Sequence, residues 1–131
     1  MKLAYLSLIA FLTLFNPAPA DVIDTVSDLL AKGATHELAK MFSTEVEIEL
    51  PGIPADTHPK AEAEVMLGKF FAVNKPTASK VLHRINAAGN YRFGVVVLNT
   101  SKGTFRVSFN LKEENGVSQL VKLTIEPEKV R

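Results

Sequence analysis

The second half of this chain is a succession of four strand-like runs, and that succession constrains the fold more than any other feature. Ser79–Ala87, Tyr91–Thr100, Thr104–Lys112 and Ser118–Glu126 are separated only by Ala88-Gly89-Asn90, Ser101-Lys102-Gly103 and Asn115-Gly116. Connections this short join antiparallel neighbours, because a parallel crossover needs a dozen residues or more. Asn115-Gly116 is the strongest of the three turn signals, since both central residues of a type I′ turn need positive φ.

Ahead of the sheet the period is helical. Asp21 is placed to cap a helix whose apolar residues Val22, Ile23, Val26, Leu29 and Leu30 recur at helical spacing, and Gly33 ends it. A short second helix is expected with Thr35 as its cap and Leu38, Met41 and Phe42 on one stripe. Glu45-Val46-Glu47-Ile48-Glu49-Leu50 then alternates strictly, as a strand with one buried and one wet face does. Pro51-Gly52-Ile53-Pro54 reads as a turn-rich loop. Pro59 opens a third helix with the stripe Ala63, Met66, Leu67, Phe70 and Phe71, which Asn74-Lys75-Pro76 stops. The order α-α-β-α-β-β-β-β predicts an α+β fold in which three N-terminal helices pack in a curved antiparallel sheet.

Residues 1–20 stand apart from that domain. Lys2, the apolar run Leu3 to Phe15, the break at Pro17 and the small residues Ala18-Pro19-Ala20 have the layout of a secretory signal. The run is too short to span a bilayer comfortably. The expectation is cleavage following Ala20, which leaves residues 21–131 as a single exported domain, periplasmic or secreted, with no stable membrane anchor. The whole chain has 15 basic and 14 acidic residues, and losing Lys2 makes the mature domain neutral. A neutral domain with scattered Lys and Arg has no electrostatic footprint for nucleic acid. The chain has no cysteine, which excludes disulfides, thiolate nucleophiles, Cys-ligated metals and a lipid anchor on cysteine.

Two resemblances add to this. The element order resembles the nuclear-transport-factor-two-like, cystatin-like cone, in which a curved sheet wraps around a long helix and leaves a pocket inside. Gly33 with Glu37-Leu38-Ala39-Lys40-Met41-Phe42, and Lys60-Ala61-Glu62-Ala63-Glu64 with Phe70-Phe71, resemble the domain-of-unknown-function family 4783 of small exported Bacteroidota proteins. Gly103-Thr104-Phe105-Arg106-Val107 and Leu123-Thr124-Ile125-Glu126 do so too, and the likeness runs from about Val22 to Glu126. One departure is Pro59, where the family more often has a small hydroxyl residue. The resemblance implies a fold; the family brings no activity with it.

Enzymes of the wider cone superfamily place an acid or a histidine in the pocket, where apolar walls raise the pKa of a carboxyl. Here Asp21, Asp24, Asp28 and Asp56 fall in the first helix or a loop, and Glu113, Glu114 and Glu126 fall at a turn or a strand end. An isomerase-like acid pair is missing. His83 alternates with Val81 and Ile85, and Tyr91 with Phe93, Val95 and Val97. With those sets looking inward, His83 and Tyr91 meet at the mouth of the cone, and Gln119 joins them from the face of Val121 and Leu123. Such a group either contacts a ligand or satisfies its own buried polar atoms. Phe70 and Phe105 complete the expected pocket lining.

His36, His58 and His83 are dispersed and lack metal-ligand spacing, so neither a metal nor a cofactor is expected. The opposite sheet face is expected to carry Leu82, Val96, Leu98 and Leu120 beside Arg106, Ser108 and Asn110. An apolar centre with a polar rim is the anatomy of a protein interface, and it suits a homodimer.

The residues therefore leave three readings. The first is a non-enzymatic exported module that binds a small apolar molecule or a protein partner through its cone pocket. The second is a structural or interaction module with a filled cone that self-associates through its outer sheet face. The third is a pocket isomerase or hydrolase centred on His83. A void behind Phe70, Phe71, Phe105 and Phe109 separates the first from the second.

Overall fold

The structure, a computed structural model, describes residues 21–86 and 89–129. The leader expected over residues 1–20, its cleavage following Ala20, and Ala87 at the end of an expected strand lie outside the described residues. Helix α1 is Val22–Ala31, and Asp21 caps it by accepting a 2.9 Å hydrogen bond from the Ile23 amide. Helix α2 is Thr35–Lys40; Thr35 is its first helical residue, and the cap position falls to Ala34, which offers no side chain for the purpose. Strand β1, Phe42–Leu50, follows with Phe42, Val46, Ile48 and Leu50 buried, so the Glu45, Glu47 and Glu49 set takes the opposite face.

The expected loop after β1 is instead a strand. Strand β2, Ile53–Pro59, pairs antiparallel with β1, with Leu50 opposite Ile53 and Ile48 opposite Asp56. It is almost wholly exposed, so it shows no alternation, and its prolines are tolerated because an edge strand need not donate on its outer side. Helix α3, Lys60–Val73, begins directly after Pro59 without a side-chain cap. It stops where the Asn74 amide and side chain both donate to the Phe70 carbonyl, at 2.8 and 3.0 Å.

Strands β3 (Pro76–Asn86), β4 (Tyr91–Thr100), β5 (Gly103–Glu114) and β6 (Val117–Pro127) form the meander. The six strands make one sheet in the order β2-β1-β6-β5-β4-β3. Every neighbouring pair is antiparallel except β1 and β6, which are parallel. That exception follows from the path of the chain: α3 carries it from the β2 edge to the β3 edge, and the meander returns inward until β6 meets β1.

One cluster holds the domain together. Helix residues Ile23, Val26, Leu30, Ala63, Leu67 and Phe71 pack with Val96, Leu98, Val107, Phe109, Leu123 and Ile125 of the sheet. Helix α1 is fastened to β3 through a pair of hydroxyls. Ser79 Oγ donates to the Ser27 carbonyl at 2.9 Å, which leaves Ser27 Oγ to donate to Ser79 Oγ at 2.7 Å. No helix of the described residues is long and apolar enough to cross a membrane.

Candidate functional site

The concave side of the sheet, where the pocket was expected, is occupied by side chains. Phe109 is fully buried, Phe71 and Phe105 are 5 % and 8 % exposed, and Leu67 fills the space between helix and sheet. Phe70 is partly buried and meets Phe105 edge-on with ring centroids 5.1 Å apart, and Phe71 at 5.6 Å. Packing is close at Gly94, where an added Cβ would stand 2.5 Å from Phe109 Cζ and 3.1 Å from Ile23 Cγ2. Among the described residues Ser27 is the one buried polar side chain. Two hollows open at the rim. One of about 400 Å³ is lined by Arg106, Glu126, Pro127, Glu128 and Lys129. The other, of about 450 Å³, runs along the β1–β2 turn from Glu49 to Pro54 and the Ile125–Pro127 end of β6.

The strands present their faces differently from the sequence-based expectation, and the register explains why. A two-residue turn, Ser101-Lys102, pairs Thr100 with Gly103, and so Leu98 with Phe105 and Val96 with Val107. Phe105 and Phe109 point inward, so Gly94, Val96 and Leu98 must point inward with them. Val96, Leu98 and Leu120 are 0 % exposed. They belong to the core, and the expected outer interface built on them is corrected accordingly. Leu82 is the extra residue of a bulge between Val81 and His83, and it is half-buried. Of the expected interface set Arg106 stands on the outer face, opposite Val97.

The expected pocket residues move the other way. The bulge leaves Val81 opposite buried Val96 but sets His83 opposite Val95, so His83 is exposed on the outer face with Ile85. Tyr91 is 41 % exposed and lies opposite Lys112, whose Nζ is 5.8 Å from its ring centroid. A second register break, between Asn110 and Leu111, turns Leu120 and Leu123 inward together and leaves exposed Gln119 opposite Lys112. His83, Tyr91 and Gln119 therefore do not converge in a cone; Phe70 and Phe105 do remain inside, as filling.

What emerges is an outer face that residue-by-residue alternation missed. Ile85 is 48 % exposed, Phe93 and Val97 are half-buried, and Val95 is covered by its neighbours. Alternation alone assigns all four to the interior, and the two-residue turn is the signal that places Phe93, Val95 and Val97 outside. Strand β5 sets Ser108 and Asn110 beside them. Two ion pairs bound the strip. Arg106 donates to Glu128 through Nε at 3.0 Å and through its second nitrogen at 3.1 Å. The hydrogen bond to Glu128, and then its charge, raise the Arg106 pKa above the ordinary arginine value. Lys112 Nζ lies 2.9 Å from Glu114, whose hydrogen bond and charge raise the lysine in the same way.

A family model described as a domain of unknown function, DUF4783, matches residues 23–126. Solved structures of two DUF4783 family proteins share the fold. That from Bacteroides ovatus ATCC 8483 is 23% identical, with a TM-score of 0.74 over 80% of this chain and 94% of its own. That from Bacteroides uniformis ATCC 8492 is 21% identical, with a TM-score of 0.76 over 84% of this chain and 100% of its own. A Nostoc punctiforme PCC 73102 domain of unknown function with a cystatin-like fold is 14% identical, with a TM-score of 0.63 over 79% of this chain and 71% of its own. The architecture is thus the cystatin-like, nuclear-transport-factor-2-like cone. Among curated proteins none matches this sequence.

Proposed function

This chain belongs to the DUF4783 family, and from that premise we propose that it is an exported, non-enzymatic interaction module whose outer sheet face receives a protein partner. The observation that carries the reading is the filled cone. Ligand sites are concave spaces of several hundred Å³ that enclose most of the ligand. Here that space holds Leu67, Phe71, Phe105 and Phe109. Acid–base chemistry needs a titratable group within reach of a sequestered substrate. His83, the histidine a pocket enzyme would use, is instead exposed on the convex side.

The outer face has what an interface needs. Its centre carries Phe93, Val95 and Val97, its flank carries Ile85 and His83, and Arg106 and Lys112 stand at its ends. Aromatic residues and arginine are enriched in such faces, and charge is kept to their rim. Export rests on the leader pattern of residues 1–20.

Native mass spectrometry of the protein purified from the exported fraction of cells expressing the full-length gene tests the reading. The expected mass is that of a polypeptide starting at Asp21 with nothing else retained. A stoichiometric small molecule held by the domain would overturn the filled-cone reading. A chain still carrying residues 1–20 would overturn cleavage.

A further inference from the structure

The end of the sheet where β1 turns into β2 carries an apolar hollow with an acidic wall. Its volume is about 450 Å³, and Leu50, Ile53, Pro54, Ile125 and Pro127 supply its apolar lining. Leu50 and Ile125 are buried, whereas Ile53, directly opposite Leu50, is 43 % exposed. The turn between those two is Pro51-Gly52, in which the proline ring fixes φ and Gly52 takes φ 80°. The apolar side is therefore set in advance, and binding need not order it.

Two carboxylates complete the lining, Glu49 and Glu126. Glu49 stands beside Thr124 in the parallel β1–β6 pair, so Glu126 follows two residues along the same face. Strand spacing puts their Cα atoms about 8 Å apart, a gap that one ammonium or guanidinium group bridges. The neighbouring acids are already engaged: Glu47 with Lys122 at 3.2 Å, and Glu128 with Arg106 at 3.0 Å. Arg106 feels the charge of Glu126 but gives its hydrogen bonds to Glu128. Among the described residues neither Glu49 nor Glu126 belongs to an ion pair.

An apolar wall beside two such carboxylates complements a lysine or arginine side chain, whose methylene stem packs on apolar surface while its head stays polar. Resting on the interaction-module reading above, we infer that the hollow docks an extended segment of the protein partner through one such residue. The stem lies along Ile53, Pro54 and Pro127, and the cationic head sits between Glu49 and Glu126. The open shape of the hollow decides for a polypeptide over a free amine. Small-molecule sites enclose most of their ligand, which a trough at a strand end does not. A segment tethered to a partner on the adjoining outer face gains from effective concentration instead. Both carboxylates stay at the solvent rim, so the contact selects the partner more than it tightens binding, and it weakens with salt.

Titrating the isotope-labelled exported protein with the peptide acetyl-Val-Lys-Val-amide, followed by amide chemical shifts, tests the inference. Saturable shifts are expected over residues 49–53 and 125–128, with a dissociation constant on the order of a millimolar. The peptide with norleucine in place of lysine keeps the stem and loses the charge, and should bind about threefold or more weakly. The lysine peptide should lose as much against the Glu49→Gln, Glu126→Gln double variant, whose circular dichroism should match the wild type. Equal binding of the two peptides, or unchanged binding by the double variant, overturns the cationic assignment. Shifts confined to Phe93, Val95 and Val97, or none at all, overturn the hollow as the docking point. Each of those results leaves the outer-face reading standing, whereas a small molecule retained in the cone removes that reading itself.

Discussion

At Gly94 a methyl group would stand 2.5 and 2.8 Å from two ring atoms of Phe109 and 3.1 Å from Ile23. No real Cβ sits so close, so Gly94→Ala must displace a fully buried ring. The expected cost is about 1–3 kcal/mol, read as a lower urea midpoint with unchanged slope. Adding Phe109→Leu, which withdraws the ring, should recover part of the loss. The same residue explains why the faces of β4 are exchanged relative to its hydrophobic pattern. Between Phe93 and Val95 a glycine looks like a gap in the apolar set, and hydrophobicity alone sends the larger neighbours inward. The interior took Gly94 because Phe109 needed the room, a fact about the opposite strand that no single strand's composition contains. His83 was misplaced by a comparable local effect, a single extra residue at Leu82 that reverses the faces beyond it.

Among the elements, those with a long period or strong punctuation were legible in the sequence. The five strands outside β2 and the three helices lie close to where the pattern put them, and Asp21 caps α1 as expected. Asn115 and Gly116 both take positive φ, 52° and 76°, and join Glu114 to Val117 as the tight hairpin that the dipeptide announces. Nothing lies within 4 Å of a Cβ added at Gly116, so Gly116→Ala carries a backbone cost alone. A loss of about 1–2 kcal/mol is expected, visible in thermal melts, and earlier hydrogen exchange should be confined to the β5–β6 turn. Exchange spreading to β1 would mean that the hairpin sets the register of the parallel β1–β6 pair as well. Strand β2 escaped notice because an exposed edge buries neither face and so leaves no alternation to read. The bulges escaped because one added residue changes register without changing composition.

For the molecule as a whole, the consequence is an exchange of faces. The residues expected to line a pocket stand on the convex surface or fill the cone, and Val96, Leu98 and Leu120 of the expected interface are core. The α+β cone itself was legible because helix count, turn lengths and a four-strand meander leave few ways to close a domain of this size. The state of its interior was not, since the phenylalanines of residues 21–131 can line a cavity or abolish it. Crystals of the protein under xenon pressure, compared with crystals of Leu67→Ala, decide between the two most directly. Xenon enters dry apolar cavities, and Leu67→Ala should create one at a cost of about 2–5 kcal/mol. The account predicts xenon between α3 and the sheet in the variant and none there in the wild type. Xenon bound among Leu67, Phe71, Phe105 and Phe109 of the wild type would contradict it and return the function to the cone.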